Sequence, residues 1–193
     1  MATCRGPEIS GIINTLKTFF MESTEIDLIP PMKPLLGQIH QEIDRFSDND
    51  TQNGIQAARW CLEHNMVQQG FTILQETFLT CIVKMVGADV FDKDMRSLVN
   101  SAARFASQRT DAAQWQGTAA EYPEITKKLI GLFDNNKPLV SLMNKLTDCR
   151  NDINHAGYNP KAKPPDRFHG QLRECINDAE AVIEALLTEQ LTA

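Results

Sequence analysis

Between Cys149 and Pro160 the sequence reads "CRNDINHAGYNP", with an Arg, two Asn, an Asp and a His inside six consecutive positions. On a helix advancing about 100° per residue, Arg150, Asn154, Asn151 and His155 fall at about 0°, 40°, 100° and 140°, so the four share one arc. Ile153 points away from that arc toward the expected core. Asp152, at about 200°, reads as a surface charge. Gly157 offers a C-cap and Pro160 blocks continuation, so the arc is presented beside an open, proline-stiffened loop.

An Arg guanidinium is a fixed fork suited to phosphate oxygens, and a His exchanges a proton near neutral pH. Together they suit cleavage of an RNA phosphodiester by its own 2′-hydroxyl. That reaction needs a base at the 2′-oxygen, an acid at the 5′-leaving oxygen and positive charge at the phosphorane. It calls for no metal and no cofactor. Each motif brings one His to two proton transfers, so the stoichiometry leads us to expect a homodimer that faces two such helices across its axis. The plain alternative is that Arg150 and His155 only complement the helix macrodipole and its terminal carbonyls. Cys61 and His64 have ligand-like spacing, but no second pair completes a zinc site.

The elements that must position this arc read as helices throughout, and the expected fold class is all-α. From Val67, the positions Phe71, Leu74, Phe78, Ile82 and Met85 recur at steps of three and four, widened by Ile73, Leu79, Val83 and Val86. So broad a stripe predicts a central helix. Ile55, Ala58, Cys61 and Leu62 mark another helix, as do Met95, Leu98, Val99, Ala102 and Phe105. Leu139, Leu142, Met143 and Leu146 lead into the motif, and Leu172, Cys175, Ile176, Ala179, Ile183 and Leu186 follow it. "LIPPMKP" (28–34), "SDND" (47–50), "DNNKP" (134–138) and "GYNPKAKPPD" (157–166) are breakers or caps, and 107–123 reads as loop with some helix. Residues 1–50 read as an N-terminal helical connector or the first helices of the bundle, and 51–193 as the main domain, one compact unit overall.

The net charge of −6 argues against bulk attraction to nucleic acid, though not against one phosphate at a local basic site. No apolar run approaches the roughly 20 residues of a membrane span, so no membrane association is expected. The first residues lack a secretory signal pattern, and the five scattered cysteines suit reduced, buried thiols in a cytoplasmic protein.

Two stretches together resemble a known family. "RNDINH" matches the R-x4-6-H signature of HEPN domains, including the polar residue after the Arg. "AARWCLEHNMVQQGFTILQETF" (57–78) is similar to the helix pair with W-x5–6 and Q-x-x-T-x-x-x-E features in HEPN domains of CRISPR-associated type III ancillary ribonucleases. The resemblance runs from about residue 8 to the end. It implies a dimerising HEPN bundle and metal-independent endonuclease cleavage of single-stranded RNA in prokaryotic antiviral defence. Arg150 then holds the scissile phosphate, His155 acts as general acid or base, and Asn151 orients the His or the 2′-hydroxyl, with Asn154 secondary. In that family the domain usually follows a CARF sensor that binds cyclic oligoadenylate. No βαβ pattern or Gly-rich loop occurs here, so the chain is expected to be either a nuclease domain excised from such a CARF sensor or a standalone HEPN protein regulated by a partner.

Around the motif, Lys161, Lys163 and Arg167 are candidates to track RNA backbone and Tyr158 to stack on a base. Their alternative is a solvated loop. Trp60 reads as core, and Glu76, in a largely apolar helix, calls for a helix terminus or basic partner. His40, His64 and His169 read as surface or boundary histidines. The rival functional reading is an inactive HEPN-like module binding RNA, nucleotide or a protein.

Overall fold

Apolar residues spaced at three and four become helices that bury one side each, and the long stripe from Val67 buries more than one. A computed structural model describes residues 6–22, 33–158 and 162–192, the side chains of 33 and 187–192 excepted. Among the described residues there is no strand. A short 3-10 turn at Gly6–Glu8 leads into α1 (Ile9–Glu22), followed by α2 (Lys33–Asp44), α3 (Asp50–Glu63) and α4 (Val67–Met85). Then come α5 (Lys93–Gln108), a 3-10 turn at Ala112–Gln114, α6 (Thr118–Glu121), α7 (Pro123–Asn135), α8 (Lys137–Asn154) and α9 (Arg167–Thr192). No described helix is long and apolar enough to cross a membrane.

Polar caps set the starts. The Asn49 side chain accepts from the N–H groups of Thr51 and Gln52, Asp92 from those of Asp94 and Met95, and Asn136 from that of Leu139. Each such cap is worth about 1 kcal/mol. Pro123 and Pro138 stand in the first turns of α7 and α8, where a missing N–H breaks no bond. The 107–123 segment holds more helix than expected: the end of α5, the 3-10 turn at Ala112–Gln114, α6 and the start of α7, joined by short irregular links. The described part of 157–166 is non-helical; residues 159–161, and 23–32 with most of "LIPPMKP", lie outside the described residues.

Helix α4 is the axis of the bundle and touches α3, α5, α8 and α9. Phe71, Leu74, Phe78 and Ile82 are wholly enclosed, each worth about 1.5–3 kcal/mol of transfer. Helix α3 lies so close to α4 that a Cβ on Gly54 would stand 2.0 Å from Thr77 Oγ1. A second, smaller apolar cluster of Ile13, Ile43, Phe46, Ala57, Cys61 and Ile73 attaches α1 and α2 to the outer side of α3 and α4. Buried Asn53 ties the joint by donating to Ser10 Oγ and the Ser47 carbonyl, both at 2.8 Å. Trp60 is half-buried against this smaller cluster rather than enclosed in the main core.

One end of the bundle gathers four helix termini. Gln68 in the first turn of α4 donates to Asn154 at the end of α8, 3.3 Å away. Phe71 meets Phe168 of α9 edge-on at 6.4 Å, and Gly70 leaves room for Leu172. The end of α3 joins the start of α4 through only residues 64–66. The polar arc therefore emerges where α3, α4, α8 and α9 all reach the surface.

Candidate active site

Arg150 and His155 leave the same end of α8 in different environments. One Nη of Arg150 donates to Gln75 Oε1 at 3.2 Å and lies 3.4 Å from Glu76 Oε1. Its Nε is buried without a partner, yet 32% of the side chain is exposed. Gln75 is itself only 2% exposed and is held by its amide, which donates to Thr147 Oγ1 at 3.0 Å. Glu76 is shared: its second oxygen takes Nη2 of Arg96, whose Nη1 donates to Thr80 Oγ1 and the Val90 carbonyl. The basic partner that Glu76 called for is thus a pair of arginines, from α5 and α8.

His155 is the C-cap of α8, its N–H donating to the Asn151 carbonyl at 2.9 Å. Its imidazole is exposed and has no hydrogen bond or ion pair among the described residues. Ala156 and Gly157 follow with φ of 51° and 74°, a left-handed reversal that Gly adopts freely and Ala adopts at a cost of about 1–2 kcal/mol. The reversal ends the helix immediately after the His, so no further turn covers the ring.

Asn151 is exposed, and Asn154 is exposed with its amide oxygen turned to Gln68. Tyr158 is 93% exposed. Lys161 lies outside the described residues. Lys163 is half-buried, and its ammonium sits 3.3 Å from Cys149 Sγ rather than out in the loop. Arg167 opens α9 and is exposed.

Asp152 corrects the sequence reading. It is 7% exposed, not a surface charge, and its Oδ2 accepts the backbone N–H of Lys163 at 2.7 Å. Its Oδ1 is buried without a partner. The helix angle was right, but the chain after the motif folds back and covers that side. Burial pushes the Cys149 thiol above its ordinary range, partly offset by the Lys163 ammonium.

Cys61 is buried, whereas the His64 ring stacks on Trp60 at 4.0 Å with Nδ1 2.8 Å from the Trp60 carbonyl. Among the described residues no group of three His, Cys, Asp or Glu is placed to hold a metal. His40 and His64 are exposed and His169 is at the boundary.

The arrangement offers a cation positioned from behind and an imidazole in open solvent, within one turn and a half of helix. Gln75, Thr147 and Arg96 are the residues that the motif alone did not reveal. Their signal was present in α4, where Gln75 and Glu76 interrupt an otherwise apolar stripe. No family model, no curated protein and no solved structure matches the chain.

Proposed function

We propose that the chain is a metal-independent endoribonuclease of HEPN type, acting on single-stranded RNA in antiviral defence. The observation that carries this reading is the pairing of a pre-positioned, part-exposed Arg150 with an exposed, unpartnered His155 on one helix end. A guanidinium anchored through one Nη keeps other N–H donors for a phosphate.

In the proposed reaction the RNA 2′-oxygen attacks phosphorus as the bond from phosphorus to the 5′-oxygen breaks. The 2′-proton goes to one His155, and a second His155, from another copy, protonates the leaving 5′-oxygen. The products are a 2′,3′-cyclic phosphate and a 5′-hydroxyl. Arg150 from each copy balances charge on the phosphorane. The site is accordingly a two-copy site, and a sensor or partner that alters the pairing of copies would regulate it.

One observation favours a second reading. Arg150 also ties α8 to α4, which is what a structural residue in an inactive binding module would do. Cleavage of a fluorescent single-stranded RNA in EDTA separates the two, with an all-deoxy oligonucleotide as control. The nuclease reading expects RNA alone to be cut, and His155→Ala to stop it. Cutting of the all-deoxy strand, or equal cutting by the variant, would sink it.

A further inference from the structure

An open groove of about 420 Å³ lies between α3 and α9, lined by Arg59, Leu62, Glu63, His169, Arg173 and Asn177. It belongs to the same end of the bundle as Arg150 and His155, because Leu62 and Glu63 end α3 and His169 opens α9. Its volume suits one nucleotide and exceeds what a lone inorganic ion needs.

The charges in this groove are unequally matched. Arg59 donates to Glu180 at 2.6 Å, and Glu63 accepts at 3.0 Å from Arg45, which it shares with Glu42 at 3.2 Å. Arg173 is exposed and has no ion pair or hydrogen bond among the described residues, and the His169 ring has none either. Arg173 is thus a lining guanidinium that no described carboxylate meets, beside a His and an Asn amide. Leu62 is 6% exposed and lends the groove little apolar surface. The groove thus offers phosphate donors at nucleotide size.

We infer that the α3–α9 groove binds one nucleotide of the RNA strand next to the cleavage site, with Arg173 and His169 on its phosphate. This rests on the ribonuclease reading for the identity of the strand, though not for the binding itself. Its occupant is part of a chain that continues toward Arg150 and His155.

The test measures binding of a labelled 12-residue 2′-O-methyl RNA, which cannot be cut, to the full chain by fluorescence anisotropy across a salt series. Arg173→Ala is compared with Lys128→Ala, an exposed cation on α7 away from the groove. Arg173→Ala is expected to weaken binding several-fold and to lower the salt slope by about one phosphate contact, with Lys128→Ala close to wild type. Equal losses in the two variants, or no binding by wild type, would overturn the groove. So would full occupancy by a nucleoside monophosphate that leaves the oligonucleotide's Arg173 dependence unchanged. Arg173-dependent binding without any RNA cleavage by wild type would keep the groove and dismiss the nuclease. Cleavage with Arg173-independent binding would do the reverse.

Discussion

On one side of the last turns of α8, Arg150 reaches α4 as a cation shared between a buried amide and a half-exposed carboxylate. On the other side, Asp152 takes the backbone N–H of Lys163, and the Lys163 ammonium meets Cys149. The first contact spends part of a five-donor group and leaves the rest at the surface. The second is closed over by the returning chain, with one carboxylate oxygen buried and unmatched. The helix end is therefore fixed on both flanks, and of the two fixing groups Arg150 keeps donors at the surface while Asp152 does not. On the proposed reading Arg150 both fixes and reacts, Asp152 fixes, and His155 reacts.

That division is broken most sharply at His155. His155→Ala is expected to lower RNA cleavage by about 10²–10⁴, with stability within about 0.5 kcal/mol of wild type because the ring is exposed. A drop in the urea midpoint as large as a core variant's would mean that His155 fixes the helix end after all. Arg150→Ala should affect both properties: about 10²–10³ in rate, and about 1–3 kcal/mol in stability as Gln75 loses a donor in a buried setting. Loss of stability with cleavage intact would assign Arg150 to the structural side.

Asp152→Ala tests the closed flank. It should remove about 1–3 kcal/mol of stability, read in the urea midpoint, and speed proteolysis after Lys163. Unchanged proteolysis would show that Lys163 is held by other contacts. The smallest effect is one of pH. Burial raises the Cys149 thiol, and raises Cys175 of α9 to about 12. Above the ordinary value of 9.0 the unfolded chain loses these protons while the folded chain keeps them. Stability should then fall as pH rises from 9 toward 12. A flat urea midpoint between pH 8 and 10, in reductant, would mean that these thiols ionise without unfolding.

The helices and the central place of α4 were legible because burial imposes periodicity. Phe71, Leu74, Phe78 and Ile82 fall on the expected stripe and are enclosed. The motif's position at a helix end was legible too, since Gly157 and Pro160 punctuate it. What lay beyond reach were contacts set by distant chain. Nothing local says that Lys163 will fold back over Asp152, nor that Arg150 will find Gln75 rather than water. The groove was equally hidden, because its two walls are more than a hundred residues apart in sequence, as Arg59 and Glu180 are.

The close approach of α3 and α4 at Gly54 has a consequence for the order of folding. These helices are joined by residues 64–66 alone, so their pairing closes a short loop and loses little chain entropy. Contacts of that kind form early. Arg150 joins Gln75 across 75 residues, and Arg59 joins Glu180 across 121. During synthesis, then, α4 can be in place with its polar pair exposed well before α8 brings the guanidinium to it. The groove must wait for the last helix. A growing chain therefore acquires its core first, the Arg150–Gln75 contact second, and the α3–α9 groove only when synthesis has passed α9.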